Sequence, residues 1–215
     1  MMCRFLVAVA LAAVSFSGAG VAQIVAPVAA VPAPVPKPDI VKVAIMTSKG
    51  RMVVALDRGH APITVANFLH YVDTKRYDGQ SFYRAMPYDK GGLIQAGITS
   101  NAKLLFKPIA HESTSVTGLK NVRGALSMAR IEPGSARSDF FILTEDIAGF
   151  DDGAADPGFA AFGSVVEGMD VADKIFHAPV SLTRGVGAMK GQMLAPAVKI
   201  LRVTRVKWAF RTRRP

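Results

Sequence analysis

Residues Ser81–Gly97 read S-F-Y-R-A-M-P-Y-D-K-G-G-L-I-Q-A-G, and this stretch decides how the rest of the chain is interpreted. Its two ends are mostly apolar and a Gly-rich segment lies between them, which predicts two β-strands joined by a loop. Each strand carries one polar residue among apolar neighbours, Arg84 in the first and Gln95 in the second. An arginine in this setting is either a solvated strand residue or part of a site, and segments further along the chain decide between the two.

Composition favours a turn-rich β or α+β protein over a helical bundle. Of the 215 residues 50% are hydrophobic and only 8% aromatic, while Gly (19) and Pro (13) are plentiful. The formal net charge of +10 is spread along the chain, apart from one basic cluster near the C-terminus. Because there is no helix-turn-helix pattern, zinc spacing or basic-aromatic interleaving, nucleic-acid binding is not predicted.

Cysteine and histidine usage excludes several kinds of site. The single cysteine, Cys3, lies in an N-terminal export segment, so no disulfide, thiol nucleophile or cysteine-metal site is predicted for the folded domain. The four histidines have no metal-ligand spacing, and no serine lies in a nucleophile-elbow context. We therefore expect neither a metal nor a cofactor.

The chain divides into four predicted regions. Residues 1–22 have the positive charge, apolar run and small residues of a secretory signal peptide. Residues 23–38 form a Pro/Ala-rich linker, residues 39–206 the folded domain and residues 207–215 a basic tail. We expect a periplasmic or secreted protein without stable membrane insertion after signal cleavage. The alternative is a membrane tether formed by an uncleaved signal.

Hydrophobic periodicity predicts the order strand, strand, helix, several strands, helix, strand. The first helix opens at Ala61 with Thr64 as a possible N-cap, and the second covers Met169–Phe176. The last strand is predicted over Ala197–Val206. Many short strands with two helices indicate a barrel whose open ends the helices cover.

Several segments after Ser81–Arg84 carry apolar strands with small or polar residues at particular places. They are Leu93–Gly97 (L-I-Q-A-G), Gly124–Arg130 (G-A-L-S-M-A-R), Ser135–Ile142 (S-A-R-S-D-F-F-I) and Phe162–Met169 (F-G-S-V-V-E-G-M). With the earlier Asn67-Phe68 they resemble, in order and spacing, the cyclophilin-type peptidyl-prolyl cis-trans isomerases over about residues 40–206. The resemblance implies a mainly β fold, a closed eight-stranded antiparallel barrel capped by two α-helices, and a monomer.

The resemblance also implies a role for each residue of the site. Arg84 would donate to the proline nitrogen of a twisted X-Pro amide, and Gln95 would hold the neighbouring carbonyl of an unfolded or proline-containing polypeptide. Leu93, Met128 and Phe141 would line the proline pocket. The remaining substrate-binding residues would be Tyr83, Ala129 and Arg130 beside the peptide, and Phe150 and Phe159 on the far wall.

The chemistry gives the arginine a reason. Twisting an X-Pro amide breaks its conjugation, at a barrier of about 18–20 kcal/mol, and leaves a lone pair on the proline nitrogen. A fixed donor aimed at that nitrogen binds the twisted form better than either planar form, and this difference is catalysis. Arginine stays charged and presents several donors in a planar fork, so no nucleophile or metal is needed.

Departures from the family pattern keep a second interpretation open. If Asp139 pairs with Arg84, the donor is occupied and activity falls. The alternative is therefore a non-catalytic proline-peptide-binding chaperone or scaffold, and a third is an envelope-associated structural protein held by its basic tail. The departures are Gly92 for a phenylalanine, Asp139 for a glutamine, Arg130 for an asparagine, Phe159 for a histidine and Gly149 for a tryptophan.

Overall fold

The computed structural model describes residues 37–206, and these form a β-barrel with three α-helices. The strands are β1 (Ile40–Thr47), β2 (Gly50–Asp57), β3 (Ser81–Pro87), β4 (Gly92–Gly97), β5 (Ala125–Met128), β6 (Phe140–Leu143), β7 (Ala161–Glu167), β8 (Val180–Ser181) and β9 (Met193–Arg205). The helices are α1 (Pro62–Asp73), α2 (Thr114–Thr117) and α3 (Met169–Phe176).

Eight strands close the barrel. They follow the order β1-β2-β7-β5-β6-β4-β3-β9, every pair is antiparallel, and β9 pairs back to β1. The two-residue strand β8 adds to β9 outside this circle. The prediction of a closed, eight-stranded antiparallel barrel is confirmed. Closure pairs the edges that an open sheet would leave exposed.

Alternation along the strands separates a main core from a second apolar cluster on the outer face. Phe140 is fully buried in the main core, as is Phe162, whereas Phe141 belongs to the second cluster. Phe68 of helix α1 packs on the rings of Phe140 and Phe162, at centroid distances of 5.2 and 5.3 Å. Successive residues of one strand thus have two roles: the inward-facing residue stabilises the core, and the outward-facing residue forms part of the outer apolar cluster.

The helices differ from the prediction in two respects. A third helix, the four-residue α2, lies between the two predicted ones, where no helix was predicted. The prediction of Thr64 as N-cap is wrong, because α1 already begins at Pro62 and Thr64 lies inside its first turn. The Glu112 carboxylate, distant in sequence, accepts the backbone N–H groups of Ile63 (3.0 Å) and Thr64 (2.7 Å). A buried side chain from another segment therefore takes over a task usually performed by a residue beside the helix.

Three predicted regions lie wholly or mostly outside the described residues: the signal peptide at 1–22, the linker at 23–38 except its last two residues, and the tail at 207–215. In the part that is described, no helix combines the length and apolar character needed to cross a membrane. Within residues 37–206 there is also no group of three or more His, Cys, Asp or Glu side chains arranged to hold a metal ion.

Candidate active site

A β-bulge at Tyr83 decides where Arg84 points. Phe82 lies opposite Ala96 of β4 and Arg84 lies opposite Gln95, which leaves Tyr83 as an extra residue in β3. Phe82 is fully buried in the main core, and in a regular strand Arg84, two residues later, would face the same way. The bulge reverses this alternation and turns the guanidinium to the outer face of the barrel.

Arg84, Gln95 and Phe141 form one row across three neighbouring strands. Gln95 lies opposite Arg84 on one side and opposite Phe141 of β6 on the other. The neighbours of these two residues along their strands are buried in the main core: Ile94 and Ala96 beside Gln95, and Phe140 and Ile142 beside Phe141. The row therefore joins a charged group, an amide and an aromatic ring on the outer surface.

Two glutamine side chains hold the Arg84 guanidinium. Its Nη1 atom donates to Oε1 of Gln95 at 3.0 Å, and its Nε atom donates to Oε1 of Gln192 at 2.8 Å. Partial burial lowers the pKa of Arg84 from its ordinary value. Arginine titrates so far above neutrality that the group stays charged at pH 7. The orientation is thus fixed by neutral acceptors, which leave both the charge and further N–H groups for a ligand.

Asp139 lies in the same region but does not form an ion pair with Arg84. The Asp139 carboxylate accepts hydrogen bonds from the Tyr83 hydroxyl (2.8 Å), the Ser138 hydroxyl (2.9 Å) and the Ile98 backbone N–H (3.2 Å). Within residues 37–206 no carboxylate forms an ion pair with Arg84. Burial raises the pKa of Asp139, and burial together with the nearby carboxylate raises the pKa of Tyr83.

Three phenylalanine rings make the apolar part of the site. Phe141 meets Phe159 and Phe150 edge-on at centroid distances of 5.2 and 5.8 Å, and Phe150 lies 4.8 Å from Phe159. Leu93 and Ala129 belong to the same outer cluster. The structure therefore brings five of the predicted site residues together beside Arg84 and Gln95.

The loop between β3 and β4 departs from the family in a way that its geometry explains. Gly92 has a φ of +150°, and a Cβ atom there would lie 1.9 Å from the carbonyl oxygen of Met86. A phenylalanine has no room at this position. Met86 instead packs against the outer cluster, whereas Tyr88 is 58% exposed. Met86 thus supplies apolar surface on this side of the site.

A cavity of about 410 Å³ adjoins the aromatic cluster on the Arg84 side. It reaches the cluster at Ala129, which contributes to both. Its polar wall includes the half-buried Asp139 and the exposed Arg137. The complete lining is Tyr83, Arg84, Gln95, Ile98, Leu105, Ala129, Arg130, Ile131, Ser135, Arg137, Ser138, Asp139 and Met189. The site is therefore two-sided, with an aromatic half and a charged half.

The structure corrects the prediction for Met128 and narrows the one for Ala129. Met128 does not line the groove: it is 1% exposed and lies in the main core opposite Phe140, whereas its neighbour Ser127 lies opposite Phe141. Ala129 was predicted to lie beside the peptide, and its backbone N–H donates to the Asp139 carbonyl at 2.8 Å. In the described part of the chain the Ala129 carbonyl has no such partner, so it is the group left for an extended ligand.

Sequence reasoning missed two residues that support the site. Gln192 directly precedes β9, the neighbour of β3, and its side chain reaches Arg84 there; nothing in its sequence surroundings indicates this role. Asn121 donates through Nδ2 to the carbonyls of Phe150 (2.9 Å) and Phe159 (3.2 Å). Asn121 is buried, but its sequence neighbours are loop residues without periodicity, so its burial could not be predicted from the sequence.

The chain was compared with known proteins. The family described as "Cyclophilin type peptidyl-prolyl cis-trans isomerase/CLD" matches residues 42–205. Peptidyl-prolyl cis-trans isomerase A of Dickeya dadantii (strain 3937) is 44% identical over 137 residues, which are 62% of this chain and 70% of that protein. Peptidyl-prolyl cis-trans isomerase B of Escherichia coli (strain K12) is 37% identical over 135 residues, 60% of this chain and 80% of that protein.

Solved structures agree on the fold. A cyclophilin-type peptidyl-prolyl cis-trans isomerase of Cryptosporidium parvum superposes with a TM-score of 0.64 at 20% identity, covering 79% of this chain and 99% of that one. A second crystal structure from that organism, determined in the presence of the dipeptide Ala-Pro, gives a TM-score of 0.62 at 21% identity, with 77% and 99% covered. The family match over residues 42–205, together with relatives that are 37–44% identical, makes this chain a member of the cyclophilin-type peptidyl-prolyl cis-trans isomerase family.

Proposed function

We propose that the chain accelerates cis-trans isomerisation of X-Pro bonds in unfolded, exported polypeptides, with Arg84 as the donor to the twisted amide. The observation that carries the proposal is the row of Arg84, Gln95 and Phe141 on three adjacent strands. The proline ring lies in the aromatic cluster, and the amide nitrogen then faces the guanidinium. The dipeptide in the related Cryptosporidium parvum crystal supports a proline-containing ligand.

The energetics of this role suit a single oriented charge. An acceleration of about five decades requires about 7 kcal/mol of transition-state stabilisation. A charge-assisted hydrogen bond in a partly dry site is stronger than one in water, and it needs no reorganisation when the donor is already fixed. Gln95 and Gln192 provide that fixation. Selection of a partly twisted peptide by the aromatic wall supplies the rest.

Gln95 has a second role in the proposal. Its Oε1 atom accepts from Arg84, so its Nε2 group is turned away from the guanidinium and can donate to the substrate carbonyl beside the proline. One amide therefore orients the catalytic donor and the substrate. The Ala129 carbonyl, which has no backbone partner within residues 37–206, accepts from the backbone of the same peptide.

A proline-binding protein without catalysis is the rival function, and Asp139 was its strongest support. That support is weaker now, because Asp139 is hydrogen-bonded to Tyr83 and Ser138 and the Arg84 charge has no acidic partner within residues 37–206. The two functions separate in one experiment on the wild-type protein. Isomerisation of a proline tetrapeptide and binding of the same peptide are measured together. Acceleration with binding supports the enzyme, and binding without acceleration refutes it.

Export is a separate part of the proposal, supported by the signal-like residues 1–22. Expression in a Gram-negative host, followed by fractionation and N-terminal sequencing, tests it. A periplasmic protein that begins after residue 22 or a close neighbour is expected. Recovery of the full-length chain in the cytoplasm would contradict export, and recovery of the full-length chain in membranes would favour the tether. We also expect a monomer in analytical ultracentrifugation.

A further inference from the structure

Arg130 directly follows the peptide-binding edge of the site, yet its side chain is directed away from solvent. The side chain is only 5% exposed, which is unusual for an arginine in a surface turn. Its surroundings are therefore a better guide to its role than its position beside the groove.

The Arg130 guanidinium binds the turn that precedes Phe159. Its Nε atom donates to the carbonyl of Gly158 at 2.8 Å, and its Nη2 atom pairs with the carboxylate of Asp156. The same Asp156 carboxylate accepts the backbone N–H of Gly158 at 2.7 Å. Gly158 itself has a φ of +66°, and a Cβ there would lie 2.3 Å from the Phe150 carbonyl oxygen. The turn is thus held by two side chains: the Asp156 carboxylate binds it from within, and the Arg130 guanidinium binds it from the end of strand β5.

The same guanidinium also covers the aromatic wall. Its central carbon lies 5.1 Å from the centroid of the Phe159 ring, within the range of a cation–π contact. On the other side the Phe159 ring meets Phe141, and its backbone N–H donates to the Phe150 carbonyl at 2.8 Å. Asn121 already binds the backbone carbonyl of Phe159. The contacts of Arg130 therefore act on the Phe159 ring and on the turn before it.

We infer that Arg130 is a positioning residue for the proline pocket, acting through the Asp156–Gly158 turn and the Phe159 ring. The inference rests on the proposed function, because it assigns the aromatic cluster to the proline ring. It predicts that losing Arg130 weakens the binding of proline peptides and leaves the chemical step at Arg84 nearly unchanged. The role requires the planar guanidinium of arginine, since one group must donate hydrogen bonds in two directions and also contact the face of a ring.

The test uses the Arg130→Ala and Arg130→Lys variants of the full chain, with Arg51→Ala as the matched control. Arg51 also forms an ion pair with an exposed carboxylate, that of Glu167, but on strands β2 and β7 away from the site. The Kd of a capped, uncharged proline peptide is measured by NMR titration, and kcat by exchange spectroscopy at saturating peptide. Thermal melts identify variants that are not folded.

We expect Arg130→Ala to raise Kd about fivefold, which corresponds to about 1 kcal/mol, while kcat stays within about twofold. Arg130→Lys should not restore affinity, and Arg51→Ala should bind as wild type. Unchanged Kd in folded Arg130→Ala protein would overturn the inference, as would a fall in kcat at constant Kd. If wild type binds but does not isomerise the peptide, the proposed enzyme function fails while the effect on Kd still tests Arg130.

A double-mutant cycle with Asp156 separates positioning from general stabilisation. Because both residues act on one turn, the loss of peptide affinity in the Arg130→Ala/Asp156→Ala protein should be smaller than the sum of the losses in the two single variants. Asp156 is 64% exposed, so its pairing is screened by salt, and 0.5 M NaCl should weaken peptide binding by wild type more than by Arg130→Ala. Full additivity, or equal salt effects, would contradict an action through this ion pair.

Discussion

Arg84 and Gln192 are 108 residues apart in sequence, and their side chains meet at 2.8 Å, with Nε donating to Oε1. The backbone supports the contact, because the Ala85 N–H donates to the Gln192 carbonyl at 2.9 Å. Met193, the next residue, lies opposite Arg84 on β9. The guanidinium is therefore held between two strands, by Gln95 of β4 and by the residue that leads into β9.

Loss of Gln192 should lower catalysis more than binding. In Gln192→Ala the guanidinium keeps its charge and the Gln95 contact but gains rotational freedom, so it is less often aimed at the proline nitrogen. A loss of one net hydrogen bond, about 1 kcal/mol, predicts a fall in kcat of about fivefold. Exchange spectroscopy measures kcat, and Gln80→Ala, a half-buried glutamine before β3, is the control. Equal kcat for Gln192→Ala and wild type would show that Gln95 alone orients Arg84.

Asp139 should make stability depend on pH in a particular direction. Burial raises its pKa in the folded protein, although Tyr83 and Ser138 donate to the carboxylate. Between the unfolded value of about 3.9 and the raised folded value, the folded state then binds more protons than the unfolded chain. Stability conferred by this group is therefore complete below about pH 4 and is lost as the pH rises through the folded pKa.

The comparison of wild type with Asp139→Asn isolates this effect from that of other carboxylates. Urea unfolding is measured at a series of pH values from about 3 to 8. We expect the free energy of unfolding of wild type, relative to the variant, to fall above pH 4 and then become constant. A relative gain of wild-type stability over the same range would mean that the three hydrogen bonds outweigh burial and lower the pKa.

Gly97 should tolerate substitution much less than another glycine with positive φ. A Cβ atom at Gly97 would lie 1.9 Å from Oδ1 of Asp139, whereas a Cβ at Gly79 meets nothing within 4 Å. Gly79→Ala therefore has only the cost of its left-handed backbone, about 1 kcal/mol, while Gly97→Ala also displaces Asp139 and should cost about 3 kcal/mol. Chemical denaturation of the two variants measures the difference, and equal losses would contradict the packing around Asp139.

Arg137 should give the site a preference for acidic peptides. Its side chain lines the cavity, is exposed and has no ion-pair partner within residues 37–206. A glutamate two residues before the proline should therefore bind about two- to fivefold more tightly than a lysine there, as expected for an exposed charge pair. The difference should shrink in Arg137→Ala. Tighter binding of the lysine peptide would indicate that Asp139 controls the cavity.

The sequence predicted the parts of this protein that depend on local pattern. Hydrophobic periodicity predicted the order of strands and helices and the helix over Met169–Phe176, and the family pattern assigned Phe141 to the site. Arg84 was recognised from its neighbours and the family pattern. The bulge at Tyr83 was not predicted, because an extra residue in a strand has no signature in its own sequence.

Long-range contacts between side chains account for what sequence reasoning missed. Gln192, Asn121 and Glu112 act on residues 29 to 108 positions away, and their neighbours in sequence are polar loops without periodicity. The role given to Met128 was wrong because a motif was carried over without applying the two-residue alternation of its strand. The contacts of the Arg130 side chain could not be predicted, because they depend on the position of a loop that local sequence patterns do not determine.

The central claim is that the Arg84 guanidinium stabilises the twisted amide, and one measurement tests it most directly. The isomerisation of a proline tetrapeptide is followed by exchange spectroscopy with wild type, Arg84→Ala and Arg202→Ala, the last removing an exposed arginine from β9. Arg84→Ala should lower kcat by about 100-fold or more, as expected for loss of a preorganised charged donor, with Kd changed by less than about threefold. Arg202→Ala should match wild type. An Arg84→Ala protein that binds the peptide and keeps kcat within about threefold of wild type would contradict the account.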